Sequence, residues 1–277
     1  MRSDSFALDG GDVLALRHWD PPDGALSRAR ILLVHGLGGG PERPYMLRAA
    51  RHFLPRGYAV SALGMRRTAT GAGRYHLGLY EDIELALSHM PDAGRPLFLI
   101  GFSGGGSVVL NFLARSVLAD RIRAAACMSA PLDLRRLGRH VEEQAPFYHR
   151  HLVGGLGAGE LADLKPYASL SDFDMRVLCA RYGFSSVEDY RRRASAGPVV
   201  SQISTPTLLL EAADDPVVPA ALNDAYAKAV SASVTRVVTA RGGHIGWVQS
   251  TRDLLGADTW GLRRVGAFFA QTQAFEL

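Results

Sequence analysis

The sequence predicts an α/β fold in which a mostly parallel sheet carries helices on both faces. Segments such as "RARILLVHG" and "TPTLLLEAADD" are apolar at consecutive positions, as expected of strands buried on both sides. They alternate with segments whose apolar residues recur at helical spacing. A chain of 277 residues with 47% hydrophobic residues is long enough to form one large unit of this kind.

Each predicted element has its own local signal. "FALDGGDVLALRHWD" has two short runs around a Gly-Gly pair and predicts two strands joined by a turn. Apolar runs predict the later strands in "RARILLVHG", "GYAVSAL", "RPLFLIGF", "IRAAACMSAP", "TPTLLLEAADD" and "SVTRVVTA". Helical spacing predicts helices over 44–54, 79–90, 105–118, 220–230 and 253–273. The segment "GMRRTATGAGRYHLG" is predicted to be a loop.

One long interval departs from this alternation. Between Pro131 and Thr205 the apolar residues have helical spacing, and the interval is too long for a simple crossover between strands. We therefore predict a helical cap over 134–201, inserted into a core domain formed by 1–133 and 202–277.

The charge pattern argues against a nucleic-acid partner. The net charge of +4 comes almost wholly from arginines that are scattered along the chain, whereas nucleic-acid binders cluster their basic residues. The only run, at 191–193, is interpreted as a solvated helix face.

Cysteine usage and hydropathy suggest a compartment. Cys127 and Cys179 lie far apart, and no C-x-x-C motif indicates a zinc or redox site. His149 and His151 have no further ligands near them in the sequence, so no metal is expected. The first residues lack the apolar region of a signal peptide, and no run of apolar residues is long enough to cross a membrane. We expect a cytoplasmic protein with reduced thiols and no transmembrane segment.

The stretch "LFLIGFSGGGSVVL" places Ser103 among glycines, between a predicted strand and a predicted helix. It contains the motif G-x-S-x-G over 101–105. In this context the chain turns sharply and presents the serine Oγ at the carboxyl end of the sheet. We therefore predict Ser103 as a nucleophile, with a glycine-rich turn and a helix-capping serine as the alternative. The glycine spacing does not fit a nucleotide-binding loop.

A serine nucleophile needs a base, and the base needs an acid to orient it. The chain order expected after such a serine is acid and then histidine. Asp214 and Asp215 end one predicted strand, and His244 follows the last strand, in a glycine-containing loop expected to be exposed and adjustable. The spacing to Pro219 favours Asp215 as the acid and leaves Asp214 as a turn-capping neighbour.

Two backbone N–H groups are expected to bind the oxyanion that forms during acyl transfer. Gly104, the residue after the serine, supplies one. Leu37, in the glycine-rich loop after "LLVHG", is best placed to supply the other, and His35 is expected to support that loop.

With "HGLGG", "GFSGG", "ADDPVVP" and "GGHIGW" in this order, the chain resembles the α/β-hydrolase superfamily. Within it, the chain is most similar to the YheT-like esterases, relatives of the ABHD1/ABHD3 group, over about residues 30–255. "RYHLGLYED" and the segment "SLSDFDMRVLCARYGFSSVEDYRRRAS" in the predicted cap also carry this resemblance. It implies an α/β-hydrolase fold and a serine hydrolase that acts on carboxylic esters of small molecules or lipids. It implies the triad Ser103, Asp215 and His244, with no cofactor.

The chain departs from the resembling family in two places. Leucine and asparagine of that family's serine turn are replaced by Gly104 and Ser107, and its Arg-Gly-Cys-Ser segment is replaced by "MRRTAT". The first change leads us to expect more space, or a looser backbone, beside the serine.

The predicted reaction is acyl transfer to water through an acyl-enzyme on Ser103, beneath a lid formed by 134–201. Two alternatives stay open: a catalytically silent scaffold that binds a ligand or partner, and a thioesterase, peptidase or perhydrolase that uses the same residues. Resemblance of fold does not choose among them.

Overall fold

The computed structural model describes residues 2–21, 27–68, 75–90, 94–156, 167–251, 253, 256 and 258–274. Parts of four predictions lie outside the described residues. They are 69–74 of the predicted loop, 157–166 of the predicted cap, 252, 254, 255 and 257 at or near the start of the last predicted helix, and 1, 22–26, 91–93 and 275–277 of the predicted core domain.

The described strands form a single sheet. They are β1 (Arg2–Ala7), β2 (Asp12–Trp19), β3 (Ala29–Val34), β4 (Tyr58–Thr68), β5 (Leu97–Phe102), β6 (Ile122–Met128), β7 (Thr207–Ala212) and β8 (Val234–Thr239). Their order across the sheet is β1-β2-β4-β3-β5-β6-β7-β8. From β4 to β8 every neighbouring pair is parallel, whereas β2 is antiparallel to both β1 and β4. The predicted mostly parallel sheet is therefore confirmed.

Helices cover both faces of the sheet. They are α1 (Pro44–Phe53), α2 (Glu81–His89), α3 (Gly104–Arg115), α4 (Leu134–Gln144), α5 (Pro146–Leu156), α6 (Leu170–Phe173), α7 (Ala180–Tyr182), α8 (Val187–Ala194) and α9 (Trp260–Ala274). The apolar sides of α1 and α9 share one core with the sheet, and α2 and α3 share the other. No helix in the described part of the chain has the length and hydropathy needed to cross a membrane.

Several elements differ from the sequence predictions in their bounds or type, and three of the differences have a clear structural reason. β4 continues to Thr68, five residues into the predicted loop, because β2 offers it an antiparallel partner as far as Asp12. The last helix begins at Trp260 rather than near 253, and Thr259 accepts backbone N–H groups at its start. Residues 220–226 form a 3₁₀ helix rather than the predicted α-helix. Its buried Asn223 donates to Ala130 O, so tertiary contacts hold this segment.

The described residues between β6 and β7 form helices joined by short turns. α6 and α7 are joined by a π-helical segment, Asp174–Cys179. Contacts tie this region to the rest of the molecule: Asn111 Nδ2 donates to Ala194 O at 3.0 Å, and Arg181 pairs with the buried Asp12 of β2.

The run 191–193 is not a uniformly solvated face, which corrects the sequence interpretation. Arg191 is 8% exposed and donates through Nε to Asp174 at 2.9 Å. Arg192 and Arg193 are exposed and pair with Asp189 of the same helix. Arg191 is buried while its two neighbours are exposed because the carboxylate of Asp174 compensates its charge in the absence of water.

Candidate active site

Ser103 lies at the turn between β5 and α3. Its φ of 52° and ψ of −124° are strained for a residue with a side chain, as expected for a nucleophile at a sharp strand-to-helix turn. The turn is possible because Gly105 has no side chain: a β-carbon there would lie 2.4 Å from the carbonyl oxygens of Val34 and His35. Ser103 is half-buried and borders a cavity.

The structure places the three predicted catalytic side chains in one hydrogen-bonded series. Nε2 of His244 lies 2.9 Å from Oγ of Ser103, so the hydroxyl is positioned to donate to it. Nδ1 of His244 lies 2.9 Å and 3.0 Å from the two carboxylate oxygens of Asp215. The carboxylate therefore favours a proton on Nδ1, which leaves Nε2 free to accept the serine proton.

Asp215 is held as a carboxylate by its neighbours. It is 2% exposed, and burial alone would raise its pKa. The hydrogen bond from His244 and those from the Val217 and Val218 N–H groups outweigh burial and lower the pKa below its ordinary value. A charged Asp215 stabilises the imidazolium that forms when His244 takes a proton.

Hydrogen bonds from two side chains hold the histidine loop, and His244 is less exposed than its glycines led us to expect. The side chain of His244 is only 19% exposed. Asp214 Oδ1 accepts the N–H groups of Gly242 at 2.8 Å and Gly243 at 2.9 Å, and Ser129 Oγ accepts the N–H of Ile245 at 3.1 Å. The two neighbouring aspartates thus act on different atoms: Asp215 bonds the imidazole, and Asp214 bonds the backbone that carries it.

The predicted oxyanion donors border the same space. A β-carbon on Gly36 would lie 3.1 Å from the β-carbon of Ser103, so the loop after β3 passes directly beside the serine. A β-carbon on Gly104 would lie 3.3 Å from the Leu37 nitrogen. Gly104 is also the first residue of α3, where N–H groups have no partner within the helix.

His35 lies behind this loop. It is 1% exposed, and burial lowers its pKa to about 4, so the ring is neutral at pH 7. The Met65 N–H donates to Nε2 at 3.2 Å, which assigns the ring proton to Nδ1. Nδ1 in turn donates to Gly36 O at 2.8 Å, so His35 supports the loop through a hydrogen bond to its backbone.

Residues 75–78 link this loop to the helices between β6 and β7. Leu77 packs against Gly104, where a β-carbon would lie 2.7 Å from Leu77 Cδ2. On the other side, the His76 ring lies 4.6 Å from the ring of Tyr182 between centroids, and a β-carbon on Gly78 would lie 2.8 Å from Ala194 Cα. Alternate residues of 75–78 thus face the serine turn and the helical region.

This packing corrects the expectation of extra room beside the serine. Leu77 occupies the space that a side chain at position 104 would need, and it is 4% exposed. A leucine from another segment therefore fills the space beside Gly104 in this chain.

A cavity of about 430 Å³ opens beside Ser103 and His244. Apolar side chains form most of its wall, and several come from the helices between β6 and β7: Leu137, Val141, Tyr148, Leu152 and Leu170. Arg43 and His151 also line it, together with the hydroxyl-bearing Tyr45. The shape and lining suit an apolar group attached to a carbonyl. Among the residues that the structure describes, no cluster of histidine, cysteine and carboxylate side chains is able to hold a metal ion.

Sequence reasoning missed three residues near the site. Leu77, Tyr75 and Ser129 carry no motif that marks them individually, and only their contacts with Gly104, Gly36 and Ile245 reveal them. The sequence signal for Tyr75 and Leu77 is "RYHLGLYED", which carries the family resemblance but does not indicate their contacts.

Comparison with known proteins gives a consistent result. Residues 31–257 match the Alpha/beta hydrolase family. The chain is 27% identical to YheT of Escherichia coli (strain K12), over 91% of this chain and 80% of that protein. It is 24% identical to phospholipase ABHD3 of Homo sapiens and 25% identical to monoacylglycerol lipase of Saccharomyces cerevisiae. These two matches cover 81% and 83% of this chain but only 60% and 58% of the relatives.

Solved structures share the fold at lower identity. The esterase Est1E of Butyrivibrio proteoclasticus superposes with a TM-score of 0.65 at 18% identity, covering 98% of this chain and 99% of that one. The esterase Pf2001 of Pyrococcus furiosus gives a TM-score of 0.64 at 16% identity, covering 98% and 90%.

Proposed function

The chain belongs to the α/β hydrolase family, and from that premise we propose that it is a serine hydrolase that cleaves carboxylic esters through an acyl-enzyme on Ser103. The observation that carries the proposal is the position of His244, whose Nε2 lies 2.9 Å from Ser103 Oγ while Nδ1 bonds the buried Asp215. Its relatives include proteins named as a phospholipase and a monoacylglycerol lipase.

The proposed reaction has two halves. His244 takes the Ser103 proton as Oγ attacks the ester carbonyl, and the N–H groups of Leu37 and Gly104 bind the oxyanion. His244 then gives the proton to the leaving alcohol, which departs and leaves an acyl group on Ser103. Water, deprotonated by His244, attacks the acyl carbonyl; the bond to Ser103 Oγ breaks, His244 returns the proton to Oγ, and the carboxylic acid leaves.

The proposed substrates are esters with an apolar acyl or alkyl group. The wall formed by Leu137, Val141, Leu152 and Leu170 supports this choice, since an apolar chain leaves water on entering such a cavity. We propose that 134–201 acts as a lid that sets chain-length preference. The location proposed is the cytoplasm, and the unpaired, buried Cys127 and Cys179 are compatible with it.

The test combines a covalent probe with an ester panel. Purified protein is treated with a fluorophosphonate, the modified residue is identified by mass spectrometry, and hydrolysis of p-nitrophenyl esters of increasing chain length is measured. We expect an adduct on Ser103 and ester hydrolysis that Ser103→Ala abolishes while circular dichroism stays unchanged. Ser88→Ala, which removes an exposed serine of α2, is the matched control and keeps activity.

Each other outcome selects an alternative. A folded wild-type protein that neither forms the adduct nor hydrolyses esters would be a silent scaffold, and the proposal would be wrong. An adduct on Ser103 without ester hydrolysis would move the assignment to thioesters or peptides, which are then assayed directly.

A further inference from the structure

The proposed reaction depends on the orientation of the peptide group between Gly36 and Leu37. Its N–H, on Leu37, is the proposed oxyanion donor, and its C=O belongs to Gly36. Because a peptide group is planar, any contact that fixes the carbonyl also fixes the direction of the N–H. The hydrogen bonds to Gly36 O therefore determine where the Leu37 N–H points.

Three donors converge on Gly36 O. The Tyr75 hydroxyl donates at 2.8 Å, Nδ1 of His35 at 2.8 Å and the Gly39 N–H at 3.0 Å. On the other side of the same residue, the Gly36 N–H donates to the Tyr45 hydroxyl at 3.0 Å. Both peptide groups that flank Gly36 are thus fixed from outside the loop.

Tyr75 is a permanent donor in this arrangement. It is 3% exposed, and burial raises its pKa well above the ordinary value, so the hydroxyl keeps its proton at any pH the protein encounters. Its ring packs edge-on against His35, with 5.4 Å between ring centroids. A phenylalanine would make the same ring contact, so Tyr75→Phe removes only the contacts of the hydroxyl. These are the short hydrogen bond to Gly36 O, backbone hydrogen bonds from Gly38 and Gly39, and a 3.4 Å contact with His35 Nδ1.

We propose that Tyr75 is a positioning residue for the oxyanion hole, acting through the Gly36–Leu37 peptide group; this inference rests on the proposed function. The hydroxyl holds the peptide plane so that the Leu37 N–H points into the space beside Ser103. A donor on the carbonyl also polarises the peptide group, which strengthens its N–H as a donor. Donors that are oriented before the reaction are those that stabilise a developing oxyanion most effectively.

The position of Tyr75 in the chain supports the same role. Leu77, two residues later, packs against Gly104, the other proposed oxyanion donor. One short segment therefore contacts both peptide groups of the hole, one by a hydrogen bond and one by packing.

The test is Tyr75→Phe, measured per active site. Active sites are titrated with a fluorophosphonate, and kcat and KM are measured for p-nitrophenyl butyrate. We expect kcat to fall about 10-fold, less than the loss of a whole oxyanion donor, with KM within about twofold of the wild type. Binding of a trifluoromethyl ketone, which forms an oxyanion in the site, weakens by a similar factor. Tyr58→Phe is the control. Tyr58 lies in the other core, and its buried hydroxyl accepts a hydrogen bond from Arg28, so the variant also loses a buried hydroxyl but should keep kcat.

The outcomes separate this inference from the proposed function. A Tyr75→Phe protein with wild-type kcat per titrated site overturns the inference. This holds even if fluorophosphonate labels a smaller fraction of the protein, because that pattern indicates a role in folding alone. Unchanged inhibitor binding overturns it as well. If the wild-type protein is neither titrated nor active, the proposed function fails, and the inference fails with it.

Discussion

Leu77 lies against Gly104 so closely that a β-carbon at 104 would stand 2.7 Å from Leu77 Cδ2 and 3.3 Å from Cδ1. Leu77 thus occupies the space that a side chain at position 104 would need. Substitutions at the two positions are therefore expected to be coupled, so that the effect of changing one depends on the other.

We predict that Gly104→Ala lowers kcat/KM about 10-fold, because the added methyl group must displace Leu77 or the serine turn. Leu77→Val removes the Cδ atoms, and the double variant Gly104→Ala/Leu77→Val should recover much of the loss. The measurement is kcat/KM for the wild type, both single variants and the double variant, with a coupling energy of about 1 kcal/mol expected. Strictly additive effects would show that the two positions do not share this space.

The adjacent aspartates give a second prediction. Asp215→Asn should lower kcat about 10⁴-fold, because the imidazole loses the carboxylate that fixes its tautomer and stabilises its charge. Asp214→Ala removes only the acceptor for the Gly242 and Gly243 N–H groups, and we expect a loss of about 10-fold from a misplaced imidazole. Both variants are compared by kcat at saturating ester. An equal or larger loss in Asp214→Ala would assign the acid to Asp214.

His35 predicts a dependence of stability on pH. Its folded-state pKa of about 4 lies below the ordinary 6.5, so between these values the unfolded chain binds the proton and the folded chain does not. Stability contributed by neutral His35 is therefore complete above pH 6.5 and is lost as the pH falls toward 4. From pH 7 to pH 5 the loss is about 2 kcal/mol.

Urea unfolding at these two pH values measures the effect. His35→Gln should reduce the decrease in unfolding free energy, although His76, whose pKa burial also lowers to about 4, leaves a decrease of the same sign. His89→Gln, at an exposed position, serves as the control and should keep the wild-type dependence. A His35→Gln protein with the full wild-type decrease would contradict the assignment.

The cavity predicts a chain-length profile. Each methylene that enters it contributes about 0.8 kcal/mol, or roughly fourfold in kcat/KM, until the apolar wall is covered. Leu152→Trp should shift the maximum of the p-nitrophenyl ester series toward shorter chains, because the larger side chain occupies part of the cavity. Arg150→Trp, on the same helix but exposed, should leave the profile unchanged. A shift in both variants would point to a general effect on α5.

The parallel sheet and the positions of Ser103, Asp215 and His244 were accessible from the sequence because each depends on local pattern and chain order. Runs of apolar residues indicate buried strands without any knowledge of tertiary contacts. Asp215 and His244 each follow a parallel strand, so both lie at the carboxyl end of the sheet. The catalytic roles remain predictions until Ser103 is tested.

What the sequence could not show depends on contacts between distant residues. The pairs Leu77 and Gly104, Tyr75 and Gly36, and Asp174 and Arg191 join residues that lie 17 to 39 positions apart in the chain. No periodicity or spacing reports such pairs. The hydrogen bonds of the histidine loop were missed for the same reason, since its glycines give no sign that Asp214 accepts their N–H groups.

The two-sided packing of residues 75–78 limits how this enzyme could be redesigned. Chimeras that exchange the helical region of one hydrolase for that of another treat it as an independent module. Here His76 and Gly78 contact that region while Tyr75 and Leu77 contact the peptide groups beside Ser103. A helical region taken from another hydrolase would therefore have to be transferred together with that protein's equivalent of residues 75–78. Otherwise the geometry beside Ser103 would change.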